Sequence, residues 1–145
     1  NGTWEINTFN KAASAKMWGR IVIGNDVRDR RTWEDFCSMF VTVGKRLGVD
    51  ISAVPVMDIK INNGFEFDDV VNDFEAKGKS LASLPFVLVC VPDSGNDYEI
   101  VKTISELNNG ILTQMVKSRN VNRPDEAMIR NLWYKVTLFF PYFSK

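Results

Sequence analysis

Leu84 to Lys135, LPFVLVCVPDSGNDYEIVKTISELNNGILTQMVKSRNVNRPDEAMIRNLWYK, is the stretch whose reading decides the fold. Phe86 to Val91 is a continuous apolar run, the pattern of a central parallel strand covered on both faces. Pro92-Asp93-Ser94-Gly95-Asn96 breaks it. Asp97 then stands where it can cap a helix whose apolar face is Ile100, Val101, Ile104 and Leu107, ending at Asn108-Asn109-Gly110. Ile111 to Val116 reads as the next strand, and KSRNVNR (117–123) as a polar loop. Pro124, with Asp125 and Glu126 behind it, opens a helix with Met128, Ile129, Leu132, Trp133 and Val136 as its buried stripe. Strand, loop, helix, strand, helix is the order of an open α/β sheet. It predicts that a loop and a helix N-terminus meet at the carboxyl edge of the sheet, where such folds bind anions.

The residues before this stretch supply the rest of the sheet. Trp18 to Gly24, WGRIVIG, reads as a first strand, and NDVRDRR as the loop after it. Thr32 followed by Asp35 is a helix-start signal, and Trp33, Phe36, Cys37, Phe40 and Leu47 then recur at helical spacing until Gly48. Their aromatic rings read as core; a ligand-stacking Trp33 is the other reading. Residues 53–61, AVPVMDIKI, form a second strand whose Pro55 argues for an edge position. After the Asn63-Gly64 turn, Asp68 to Ala82 carries Val70, Val71, Phe74 and Leu81 as an amphipathic helix. Its acidic residues, Asp68, Asp69, Asp73 and Glu75, suit a solvated face near a helix N-terminus, with paired metal-binding carboxylates as the alternative.

Four strands alternating with four helices make an α/β fold, Rossmann-like and three-layered, with a central, mainly parallel four-stranded sheet flanked by helices. Residues 1–17 read as a linker that packs Trp4 and Phe9 onto the domain, 18–137 as the domain itself, and 138–145 as an atypical aromatic tail.

Composition narrows the function classes. With 145 residues, 45% of them hydrophobic and 25% charged, the chain has the profile of one soluble domain with a sizeable core. Eighteen basic residues balance eighteen acidic ones, so a polyanion must be held locally rather than by the field of the whole molecule. There is no histidine, which removes the commonest general base and zinc ligand and most hydrolase chemistry. Cys37 and Cys90 lie in apolar runs without a CxxC spacing, which suits buried reduced thiols in an intracellular protein, expected in the cytoplasm with the nucleus as the alternative. No signal peptide, membrane-spanning run or initiating Met is present, as in a piece of a longer protein with no membrane partner. Nothing calls for a cofactor or a catalytic metal.

Tyr98 and Lys102 lie four apart and share a helix face. If Gln114 on the following strand and Lys135 on the last helix reach the same place, a phenol, two ammonium groups and an amide surround one anion. A monophosphate, with three free oxygens, matches that set together with backbone N–H groups of the Gly95 loop. Taken alone each residue is ordinary, since a helical Lys is usually solvated and a Tyr at a helix start usually packs.

The spacing Tyr98-x3-Lys102-x11-Gln114-x20-Lys135, the segments LVCVPDSGNDYEIVK and LTQMVKSRNVNR, and GTWEI near the N-terminus together resemble the MID domain of eukaryotic Argonaute proteins. The resemblance covers the whole chain and implies a module that binds the 5′-monophosphate of a small guide RNA beside PIWI and PAZ-side domains. It implies that Tyr98, Lys102, Gln114 and Lys135 hold the phosphate and that the Tyr98 ring stacks on the first base. Asp93, Ser94, Gly95, Asn96 and Asp97 would form the base-reading loop. Asn120 would touch the next backbone phosphate.

The family pattern has a further lysine four residues after Lys135, where this sequence has Phe139, and small residues where it has Met115. A missing charge-assisted contact weakens phosphate binding by about 1–3 kcal/mol. Catalysis in the family belongs to the PIWI domain, so the chain is expected to be no enzyme. The rival readings are a regulatory α/β domain for a nucleotide or small phosphate and a protein-interaction scaffold. An enzyme of the doubly wound type is weaker still, because neither GxGxxG nor GxxxxGK[ST] occurs.

Overall fold

The computed structural model describes residues 14–107 and 110–138. Four parallel strands, β2 (Gly19–Ile23), β4 (Met57–Ile61), β5 (Val87–Val91) and β6 (Thr113–Lys117), lie side by side in the order β4-β2-β5-β6. Two two-residue strands, β1 (Ser14–Ala15) and β3 (Asp50–Ile51), pair in parallel beside them as a separate small sheet. The α/β, Rossmann-like reading therefore holds: a central parallel sheet with helices on both faces.

Alternation along the strands divides the core in two. In β5 every residue is buried; Leu88 and Cys90 face one layer, Val87, Val89 and Val91 the other. The first layer is α1 (Arg30–Arg46), the short α4 (Ser118–Asn122) and α5 (Glu126–Thr137). The second is α2 (Phe67–Ala76) and α3 (Asp97–Leu107). Each large apolar side chain so covered contributes about 1.5–3 kcal/mol relative to exposure, which is why β5 needs no polar partner on either face.

An aromatic cluster fixes how α5 sits on α1. Trp133 stacks on Phe40 with centroids 4.3 Å apart, and its indole N–H donates to the Phe40 carbonyl at 2.8 Å. The ring fits because residue 44 has no side chain: a Cβ there would lie 2.5 Å from Cζ2 of Trp133. Trp18 and Phe86 complete the cluster, each within about 6 Å of Phe40.

Several local expectations change. The N-cap of α1 is Asp29, whose Oδ1 accepts from Thr32 N and Thr32 Oγ1 at 2.8 Å, so Thr32 is a capped first-turn residue rather than the cap. The helix expected over 68–82 stops at Ala76, because Gly78 turns back with φ +77; Leu81 is buried in a separate 3-10 turn, Leu81–Ser83. The polar loop 117–123 contains α4, held by buried Ser118 and Val121. Pro124 stands just before Asp125, whose carboxylate accepts from Ala127 N at 2.8 Å and caps α5. Leu107, expected on the apolar face of α3, is exposed, and Ser105 is buried in that face, its Oγ donating to the Val101 carbonyl. Pro55 precedes its strand, yet β4 is an edge strand as its sequence implied. Trp4, Phe9, Asn108, Asn109 and Phe139 lie outside the described residues.

Candidate functional site

A cleft of about 510 Å³ follows the free side of β6. Tyr98 and Lys102 of α3, Gln114 of β6 and Lys135 of α5 all line it. They arrive from both faces of the sheet. Gln114 is in register with Leu88, so it belongs to the α5 face, where Lys135 lies in the last turn of the helix. Tyr98 and Lys102 come from α3 on the other face. Between them runs the backbone edge of β6, whose outward N–H and C=O groups have no neighbouring strand among the described residues.

An anion site was predicted at the carboxyl edge of the sheet. In a right-handed parallel fold α3 and α5 run back against the strands, so the cleft extends from Tyr98 near the carboxyl rim along the flank of β6 to Leu138 near the amino rim. Position beside an edge strand, rather than at the strand tips, brings Lys135 near the C-terminus of its helix within reach.

Lys102 and Lys135 are exposed and carry the positive charge of the cleft. Neither is in an ion pair among the described residues. Tyr98 is 42% exposed. Gln114 Nε2 donates to the Met115 carbonyl at 3.1 Å, which uses one of its two amide hydrogens. The other can donate to a ligand.

Sequence reasoning missed Glu106. It lines the same cleft, four residues after Lys102 and eight after Tyr98, on one helical stripe that the spacing would have revealed. Ser105, Gly110, Ile111, Leu112, Thr113 and Leu138 also line it. Met115 contributes an apolar wall.

The loop 93–97 and Asn120 do not line the cleft. Asp93 Oδ1 accepts from Arg119 N at 2.9 Å, tying the loop to α4, and Gly95 takes φ +93. Asp97 is not a cap: it is the first residue of α3, and its Oδ1 accepts from Gly64 N at 2.8 Å. Ser94 and Asn96 are exposed at the rim, and Asn120 is half-buried in α4. Trp33, weighed as a stacking residue, is buried and stacked on Phe36 at 6.2 Å. Among the described residues no group of three or more Cys, Asp or Glu is arranged to hold a metal, and no helix is long and apolar enough to cross a membrane.

No protein-family model matches the chain. Over 109 residues it is 21% identical to Protein argonaute MEL1 of Oryza sativa subsp. japonica, covering 71% of this chain and 10% of that protein. The chain spans about a tenth of the length of the curated relatives it matches. Its structure is similar to the Arabidopsis thaliana AGO5 MID domain, with a TM-score of 0.76 at 19% identity over 90% of this chain and 91% of that one. The chain has the fold of an Argonaute MID domain. The N. crassa QDE-2 AGO MID domain is a further match, with a TM-score of 0.68 at 17% identity over 87% and 98% of the two chains. Within this MID fold the four spaced polar residues of the sequence share one cleft.

Proposed function

We propose that the chain anchors the 5′ end of a small guide RNA, gripping its terminal monophosphate and first nucleotide without acting chemically on it. One observation carries the reading: Tyr98, Lys102, Gln114 and Lys135, from three different elements, line a single cleft. Two ammonium groups flank a site whose remaining donors are an amide, a phenol and an open strand edge. Charge-assisted contacts to a terminal phosphate are stronger and shorter than those to a hydroxyl. The first base would stack on Tyr98, and the loop from Asp93 to Asp97 would read its edge through the backbone, since the Asp93 and Asp97 carboxylates are already engaged. Asn120 would meet the following phosphate. In this reading PIWI and PAZ-side domains of a longer protein carry the rest of the guide in the cytoplasm or nucleus.

The test is a titration of 5′-phosphorylated against 5′-hydroxyl RNA of one sequence, repeated with Lys102→Ala and with free nucleoside monophosphate. A preference for the phosphorylated end that the variant loses is expected. Equal binding of the two ends would defeat the proposal, and a free monophosphate that binds as tightly as the RNA would replace it with a nucleotide-binding regulatory domain.

A further inference from the structure

A second cleft, of about 380 Å³, opens at the other edge of the sheet. Three gaps of about 4.8 Å separate the edge strands β4 and β6 by roughly 14 Å. Val22 of β2 and Lys60 of β4, in register with one another, form its floor. The turn from Gly24 to Asp29 and the first turn of α1, with Arg30 and Trp33, form its walls. The N-terminus of a 17-residue helix therefore faces it, at the carboxyl end of β2.

Cations outnumber carboxylates in its lining, which also holds the Asn25 amide. Arg28, Arg30 and Lys60 are cationic, and Asp29 is the one carboxylate, its Oδ1 already occupied by Thr32. The Arg28 guanidinium is held by the Asn122 carbonyl at 2.9 Å, and Arg30 by Asp58 and Glu34. Lys60 has no partner among the described residues. Trp33, only 1% exposed, supplies a second unmatched group: its indole N–H is buried without any acceptor. Trp133 shows the usual arrangement, its N–H bonded to a carbonyl. Buried donors are rarely left this way, and each such exception calls for a reason. Here the orphan belongs to a residue that walls a cationic cleft.

We propose that this second cleft is an anion site for a phosphate group, in which Lys60 supplies the free charge, Arg28 and Arg30 flank it, and the Trp33 indole N–H is the buried donor to a ligand oxygen. Phosphate fits better than a halide because the donors are spread over the floor and two walls, so several oxygens are needed to meet them. The proposal is independent of the guide-anchoring reading, since no residue is shared between the two clefts.

The experiment uses ¹⁵N-labelled chain carrying Lys102→Ala and Lys135→Ala, so that the first cleft does not contribute. Inorganic phosphate is titrated at constant ionic strength while the indole N–H resonance of Trp33, assigned with Trp33→Phe, is followed. A saturable shift with half-saturation below about 10 mM is expected. Lys60→Ala, a change at an exposed side chain, should weaken it roughly fivefold or more. In a parallel arm, 5′-hydroxyl RNA replaces phosphate: saturation at lower concentration than phosphate identifies a strand phosphodiester as the natural source, and saturation by phosphate alone identifies a free anion. If neither ligand moves the Trp33 resonance, or if Lys60→Ala leaves the titration unchanged, the proposal is overturned.

Discussion

The carboxylate of Asp97 accepts a 2.8 Å hydrogen bond from the backbone N–H of Gly64, joining the start of α3 to the turn after β4 across 33 residues of chain. Gly64 is buried, and a Cβ on it would lie 3.1 Å from both the Asp97 carbonyl and the Ile100 side chain, so the two segments meet almost backbone to backbone. Tyr98 is the next residue. Its position in the cleft is therefore set from β4 as much as from its own helix. Asp97→Ala should lower unfolding free energy by about 1–3 kcal/mol, the cost of a buried N–H left without an acceptor, and should weaken binding of 5′-phosphorylated RNA. Asp97→Asn, which keeps an acceptor oxygen, should recover most of both. Urea denaturation and a binding titration on the same samples check it.

On the proposed guide-anchoring reading, Tyr98 has two separable roles. Tyr98→Phe should keep base stacking and lose only the hydroxyl contact, about 0.5–1.5 kcal/mol. Tyr98→Ala should lose stacking as well, a further loss of about 1–3 kcal/mol. Because the side chain is 42% exposed, neither should shift the thermal midpoint appreciably. RNA affinity measured beside thermal unfolding separates the two effects.

Gly44→Ala should destabilise by about 1–3 kcal/mol through overpacking, since the new methyl meets the Trp133 ring at 2.5 Å. The strain falls on α5, so Lys135 should move with it. A paired measurement of unfolding free energy and RNA affinity in Gly44→Ala is expected to show both reduced, although residue 44 lines neither cleft.

Asp58 links stability to pH. Burial raises its carboxyl, but hydrogen bonds and charges from Arg20 and Arg30 outweigh burial and hold it below the ordinary carboxylate range. A depressed folded-state value means its stabilisation is complete above the unfolded value near 4 and is lost as pH falls through the folded one. Asp58→Asn should cost roughly 2–4 kcal/mol at neutral pH, because Arg20 is buried and loses its charge partner, and much less in strong acid. Urea midpoints across that range test the sign.

Both thiols should resist alkylation in the folded chain. Burial pushes Cys37 and Cys90 up to about 12. At pH 8 about one thiol in ten thousand would be ionised even if reagent could reach it. Native chain should react with iodoacetamide only at the rate of unfolding, and both cysteines should react promptly in denaturant.

The sheet was legible because β5 is a run with no polar residue, which only a strand covered on both faces tolerates. The grouping of Tyr98, Lys102, Gln114 and Lys135 was legible through family resemblance; helical spacing alone joined only the first two. What escaped the sequence depends on distant partners. Asp97 looks like any cap until Gly64 is seen beside it. KSRNVNR looks like a loop, yet buried Ser118, whose Oγ donates to the Val91 carbonyl at 3.0 Å, and Val121 fold it into a helix. A two-residue strand such as Ser14–Ala15 carries too little pattern to be read at all. The placement of the cleft along β6 followed from strand order, which no local signal encodes.

The missing side chain at position 44 bears on how related chains are compared. A homologue could retain every polar group of the cleft and still grip its ligand poorly if it filled that notch between α1 and α5. Another could tolerate a larger residue there by shrinking Trp133. Positions 44 and 133 should therefore change together across a lineage, so on the proposed reading this apolar pair belongs beside the four polar residues when ligand-binding competence is judged.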